Sequence, residues 1–219
     1  LILALSDDTN FRKKIFPGYK AGRAPEKKPV LLAPLKEWLA KSYPCYRRPE
    51  LEGDDILGIL LTSPYIVKGE KILVSLDKDM KTLPGLHAHM EERLVFEVSP
   101  READYHHMLQ TLTGDRTDGY PGCPGVGPAK AEKLLAEGDG VTEWWPLVLK
   151  AYAKAKLGPK QALLQARLAR ILRHTDYDYK RKEVKLWNPP PAVSAANVAK
   201  PDSTNPSCRT TPPAPSATV

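Results

Sequence analysis

The sequence predicts an α/β fold, because strands and helices alternate in its first half and helices dominate the second. Three observations carry this. Apolar runs of strand length at residues 1–5 and 71–76 end abruptly at acidic residues. Helix signatures lie between and after them, the clearest being Ser99-Pro100-Arg101-Glu102. Beyond a Gly/Pro-rich stretch at 114–128 the pattern is helical almost throughout. A chain of 219 residues suffices for one sizeable core or two small ones.

The elements follow in order. LILAL, residues 1–5, reads as a buried strand closing at the turn Ser6-Asp7-Asp8. Because the chain starts on Leu inside such a strand, an N-terminal part is expected upstream. Residues 11–28 are basic and contain Pro17, Gly18, Gly22 and Pro25, which fits a loop or a broken helix. From Val30 to Lys41 a stripe of Leu31, Leu35, Trp38 and Leu39 has helical spacing, and Tyr43 to Pro49 is irregular. Glu52 to Leu61 is a second helix with Ile56, Ile59 and Leu60 on its buried side, and Gly58 allows a neighbour close. Strands are expected at 71–76 and 92–98. Ser99 as N-cap, Pro100 at the first position and Glu102 at the third open a helix to about Thr111. Pro128 opens another to about Glu137, two more lie near 142–156 and 159–173, and 183–187 forms a short strand. From Asn188 the composition changes: the last 32 residues hold eight prolines and three charged side chains, Lys200, Asp202 and Arg209. Such a segment buries too little apolar surface to offset its ordering entropy, so a disordered tail, or one not native to the domain, is expected.

Lys plus Arg is 33 against 26 Asp plus Glu, a net charge of +7. Eight of the acids fall in four short clusters; setting them aside leaves 18 acids against 33 bases. That balance favours a nucleic acid partner through phosphate contacts, with a generically basic soluble protein as the alternative. Cys45, Cys123 and Cys208 fit neither a disulfide framework nor a zinc site. The pairs His87/His89 and His106/His107 lack companion ligands and read as surface or packing residues. No apolar run approaches the roughly 20 residues of a membrane span and no signal peptide is visible, so a cytoplasmic setting without membrane contact is expected.

The acidic clusters are Asp7; Glu52, Asp54 and Asp55; Asp77 and Asp79; Asp115 and Asp118. Each has a simple structural explanation. Asp77 can cap a helix beginning at Lys78, the acids at 52–55 can balance a helix macrodipole, and Asp115 and Asp118 can shape a turn. Their combination points elsewhere. Two carboxylates about 4 Å apart repel by about 4 kcal/mol at an effective dielectric near 20. Eight together call for cations, and hard divalent ions such as Mg²⁺ or Mn²⁺ take oxygen ligands. Asp77 and Asp79 follow an apolar strand directly, where ligands gather in open α/β sheets.

A second constellation is PGCPGVGPAK at 121–130. Gly125 and Gly127 let backbone approach a phosphate, Pro128 starts a helix with free N–H groups, and Lys130 and Lys133 lie within its first turns. With Val126 between the glycines, this is a helix–loop–helix that can grip one DNA strand without reading sequence; a plain tight turn is the alternative. A third is Phe11-Arg12, Tyr19-Lys20 and Arg23, cations beside an acidic strand end that can orient a scissile phosphate or simply form a solvated basic loop.

The ordered set SDDTNFR…YKAGR, LEGDDILG, SLDKDM and LTGDRTDGYPGCPGVGPAKAEKLL resembles the 5′-nuclease superfamily, and most of all its T7-like phage exonucleases. The match runs over about residues 1–187. It implies a PIN-like fold, a central mostly parallel sheet flanked by helices. Residues 1–112 would form an α/β catalytic core lacking its first strand, with an arch near 11–45. Residues 113–187 would form a helix-hairpin-helix DNA-binding subdomain, and 188–219 the tail. It implies a monomer acting as a 5′→3′ exonuclease on duplex DNA with a 5′ end, and on RNA–DNA hybrids. Two Mg²⁺ or Mn²⁺ ions would be held by Asp7, Glu52, Asp54 and Asp55 on one side and Asp79, Asp115 and Asp118 on the other, with Asp77 between. Lys20 and Arg23 would contact the scissile phosphate, with Asp77 counted beside them as catalytic. Arg12, Lys20, Arg23, Gly125, Val126, Gly127, Lys130 and Lys133 would bind DNA, and hairpin carbonyls would hold a K⁺. Family members also carry a ligating Asp on the upstream strand. Alternatives are a DNA-binding module without catalysis and a flap-type structure-specific endonuclease.

Overall fold

The computed structural model describes residues 1–22, 29–89, 91 and 94–191. The expected arch residue Arg23, its neighbours at 24–28, and most of the proline-rich tail lie outside the described residues.

In chain order the first half holds β1 (Leu3–Ala4), α1 (Phe11–Ile15), α2 (Leu32–Ser42), β2 (Cys45–Tyr46), α3 (Gly53–Thr62), β3 (Ile72–Val74), a 3₁₀ turn at Lys78–Thr82, β4 (Gly85–His89) and β5 (Leu94–Val98). The second half holds α4 (Pro100–Thr113), α5 (Pro128–Leu135), α6 (Val141–Lys154), α7 (Pro159–Ala169), a 3₁₀ turn at His174–Asp176, β6 (Tyr177–Asp178) and β7 (Glu183–Val184). The fold is mixed α/β. Among the described residues the strands form three small sheets rather than one: β1–β2 parallel, β3–β4 parallel with β5 antiparallel to β4, and β6–β7 antiparallel. β2 and β4 carry no sustained apolar pattern, and pairing partners, not propensity, make them strands. No helix among the described residues is long and apolar enough to cross a membrane.

The Ser99 cap forms as the sequence predicts, its hydroxyl accepting from Glu102 N–H while Glu102 accepts from Ser99 N–H. At the start of α3 Asp55 Oδ2 accepts from Glu52 N–H at 3.2 Å. Asp77 caps the 3₁₀ turn, its Oδ1 accepting from Asp79 N–H at 2.9 Å.

The helices of the second half close over Trp144, whose indole N–H donates to Leu135 O and Gly138 O while Met108, Leu112, Ala131, Val148 and Tyr152 pack around it. The chain after α7 does not stay with this bundle. Leu172 and Tyr177 cross back into the core of α1 and α3, beside Phe11, Leu51 and Ile56. The residues expected to complete a separate helical subdomain therefore fasten it to the α/β half. Gly58 makes the crossing possible: a Cβ there would lie 2.4 Å from Leu172 O and 2.7 Å from a Leu83 methyl. Backbone cannot yield to it, so Gly58→Ala should cost about 1–3 kcal/mol in urea unfolding.

Candidate metal centre and nucleic-acid interface

Three chain segments bring Glu52, Asp54, Asp77, Asp79, Asp115 and Asp118 to one pocket of about 380 Å³, which Ser6, Lys20, Lys78 and Tyr120 also line. Glu52 and Asp54 come from the N-terminus of α3, Asp77 and Asp79 from the cap and first turn after β3, and Asp115 and Asp118 from the turn after α4. That last turn is built like a short hairpin. Asp115 and Tyr120 exchange both backbone hydrogen bonds, at 2.9 and 3.1 Å. Its ends meet at Gly114 and Gly122, both with φ of +67°, where a Cβ on either would fall within 2.4 Å of the other's amide nitrogen. Asp115 Oδ1 accepts from Thr117 and Asp118 N–H, fixing the turn that aims both acids.

The acids repel. The Asp54 carboxyl is pushed up to about 6 by burial first and then by the charges of Glu52, Asp55 and Asp77. Asp79 is pushed up to about 6 by burial and by Asp77, Asp115 and Asp118. Asp77 thus acts on both groups. Glu52 is different: burial works against its charge, but Arg12 and Lys20 outweigh this and hold its carboxyl below the ordinary range. As they stand, no three His, Cys, Asp or Glu side chains among the described residues are close enough to enclose a metal ion. The donor set nevertheless suits a hard cation, since it offers carboxylate oxygens, two of which, on Asp54 and Asp79, are destabilised in charged form by burial and by neighbouring acids.

An aspartate at about 3.9 in the unfolded chain and about 6 when folded is ionised in both states above pH 6, where the repulsion acts on the folded state alone. Well below pH 4 it is neutral in both states, and most of the difference is already gone at pH 4. In EDTA at pH 7.5, Asp54→Asn should therefore melt above the parent chain, and most of the gain should be lost by pH 4 in thermal unfolding followed by circular dichroism.

Asp7 and Asp55, expected in the same constellation, are held elsewhere. Asp55 is fully buried and receives both prongs of the Arg12 guanidinium at 2.7 and 2.8 Å, together with Leu172 N–H. The Asp7 carboxylate accepts from the Thr9 hydroxyl, from Glu50 N–H and from Arg47, and these bonds, opposed by some burial, hold it far below the usual carboxylate range. Arg12, expected to touch DNA, is instead 3% exposed and structural: every N–H of its guanidinium has an acceptor in Asp55, Glu52, Leu168 O or Arg170 O. The loop expected to be solvated or DNA-facing at this point is a helical turn, capped by the Asn10 side chain, which accepts from Arg12 N–H.

Lys20 does face the pocket. It sits at φ +55°, its backbone N–H donating to Asp118 O at 2.7 Å, and its ammonium contacts Glu52 and lies 3.6 Å from Asp118 Oδ2. Tyr19, noticed in the sequence only as an aromatic neighbour, places its hydroxyl 2.9 Å from Glu52 Oε2 and 2.8 Å from Asp118 Oδ2. Nothing local in a sequence says which way a phenol points; the stacking of Tyr19 on Tyr120 decides it. Lys78, between Asp77 and Asp79, also lines the pocket.

Away from the pocket, the segment between α4 and α5 presents Gly125 at φ +72°, exposed, with buried Val126 beneath and Gly127 capping α5. Lys130 Nζ donates to Gly125 O at 3.1 Å, and Lys133 is exposed on the same helix.

The chain is 33% identical over 221 aligned positions to the exodeoxyribonuclease of Enterobacteria phage T3, covering 86% of this chain and 73% of that one. It is 32% identical over 222 positions to the exonuclease of Escherichia phage T7, covering 86% and 74%. A shorter match, 32% over 145 positions, links it to the flap endonuclease Xni of Shewanella pealeana, with 59% of this chain and 55% of that protein covered. Among solved structures, the bacteriophage T5 flap endonuclease in a pseudo-enzyme–product complex with DNA and metal ions superposes with a TM-score of 0.57 at 16% identity, covering 77% of this chain and 72% of that one. The T5 protein co-crystallized with metal ions gives 0.56 at 17% identity, covering 77% and 74%. At such identities the likeness is one of fold. No family model matches the chain.

Proposed function

As a member of the 5′-nuclease superfamily, akin to the T7-like phage exonucleases, this chain is a nuclease acting on DNA, and we propose that it removes nucleotides from the 5′ end of duplex DNA at the acidic pocket, using two divalent ions, Mg²⁺ or Mn²⁺. The observation that carries the site assignment is the convergence of Glu52, Asp54, Asp77, Asp79, Asp115 and Asp118 on one pocket. Glu52 and Asp54 would hold one ion, Asp79, Asp115 and Asp118 the other, with Asp77 between them. Such ions supply Lewis acidity toward a phosphodiester and make water a competent nucleophile.

The chain's own groups do the rest. Lys20, resting on Glu52 and Asp118, is a cation available to meet a phosphate once divalent charge takes over those acids. Tyr19 keeps the same two carboxylates in register. Arg12 lowers the charge the pocket must neutralise and anchors the helix that carries Glu52 and Asp54. Residues 113–187 serve as a helix-hairpin-helix grip on one DNA strand, through the backbone at Gly125 and Gly127 with Lys130 and Lys133, and K⁺ is the candidate ion for the hairpin carbonyls. RNA–DNA hybrids are a further substrate class for the same site.

The test is release of label from 5′-labelled duplex DNA with and without Mg²⁺; absence of Mg²⁺-dependent release would refute the reading. The grip is checked separately. A Cβ at Gly127 meets nothing within 4 Å and its φ of −88° is ordinary, so Gly127→Val should leave the fold intact. It should weaken duplex binding about tenfold by blocking close approach of a phosphate, and unchanged anisotropy titrations would remove the hairpin as the contact.

A further inference from the structure

The hairpin does not stand alone. A groove of about 180 Å³ runs beside it between α5 and α6, lined by Pro124 and Val126 of the hairpin, by Lys130, and by Lys150 and Lys154 of α6. Glu137 is the one acid on its wall. Lys150 and Lys154 are four residues apart, hence on one face of the helix and about 6 Å apart along its axis. Both are exposed, and neither makes an ion pair or hydrogen bond among the described residues. Elsewhere on this protein many cations are committed: Arg12, Lys20, Arg47, Arg101, Arg170 and Arg173 all meet carboxylates. The simplest structural use of lysines near a helix C-terminus is to balance the macrodipole. That accounts for Lys154, in the last turn of α6, but not for Lys150 one turn earlier.

We propose that Lys150 and Lys154 continue the hairpin's contact along the sugar–phosphate backbone, making α6 a second, sequence-independent DNA-binding element. This rests on the hairpin reading given above. The hairpin amides fix one phosphate, and the groove lysines neutralise those next along the same strand. Such contacts carry no base information and show themselves through counterion release.

The experiment is a salt titration of duplex DNA binding by the full chain, followed by fluorescence anisotropy in Ca²⁺ to suppress cleavage. Lys150→Ala/Lys154→Ala should lower the slope of log K against log salt by between about 1 and 2 and weaken binding at 0.1 M salt by at least about tenfold. Lys150→Arg/Lys154→Arg should restore both. Lys68→Ala/Lys180→Ala removes the same net charge from exposed positions outside the groove and should leave the slope unchanged. An unchanged slope in the groove variant, or an equal drop in both alanine pairs, overturns the proposal. Gly127→Val separates the two layers: if it weakens binding while the groove variant does not, only the extension fails; if neither matters, the hairpin reading fails too. Thermal melts of each variant identify any loss that comes from misfolding.

Discussion

Asp77→Asn should lower Mg²⁺-dependent cleavage of 5′-labelled duplex DNA by at least about a hundredfold, with little change in duplex affinity measured in Ca²⁺. The reason is its position. Asp77 caps the 3₁₀ turn through Asp79 N–H and its charge bears on both Asp54 and Asp79, so it belongs to both halves of the acidic pocket. Asparagine keeps an acceptor for the cap and removes only the charge, which separates the structural role of the residue from the chemical one. Asp79→Asn should behave alike. A second readout does not depend on turnover: Mn²⁺ should raise the melting temperature of the parent chain at pH 7.5 and raise that of Asp77→Asn much less, because ion binding to the folded state is itself stabilising. Equal cleavage by Asp77→Asn and the parent would remove the pocket as the metal centre.

The second large effect is on stability. Arg12→Ala should destabilise the chain by about 3–5 kcal/mol in urea unfolding, because it strands the buried Asp55 carboxylate. It also leaves Leu168 O and Arg170 O without their donors, loosening the chain where it leaves α7 for the α/β half. Lysine offers three donors and no planar fork, so Arg12→Lys should recover only part of the loss. Replacing both partners, Arg12→Met with Asp55→Leu, should cost less than Arg12→Ala alone, since no buried charge is then left over. A loss below about 1 kcal/mol for Arg12→Ala would show the pair to be dispensable.

Much of this was legible in the residues. The Ser99 cap with Pro100 and Glu102 and the helix over Ile56 and Leu60 rest on spacing within a few residues, and both appear in the fold. Gly58 was legible as a point of close approach, but the neighbours that require it, Leu172 and Leu83, come from the tertiary fold. Local signals also marked where the acids lie. They could not divide them. Glu52, Asp54 and Asp55 are near neighbours in sequence, yet Asp54 faces the pocket, Asp55 is sealed against Arg12, and Glu52 touches both. The partner that decides this lies 43 residues away. Arg12 itself looks like any basic loop residue until α7 and the chain beyond it close over the guanidinium.

Composition, capping and turn chemistry, and the order of the acidic motifs determined by themselves the class of fold and the family resemblance, and so that this is a nuclease. Tertiary structure alone decided which carboxylates stay charged against one another and which are neutralised, where the Tyr19 hydroxyl points, and that Leu172 ties the helical half to the α/β half. The physical reason is range. Backbone preferences act over a few residues, whereas burial and Coulomb interaction depend on what the finished fold brings within a few ångströms, whatever the separation along the chain.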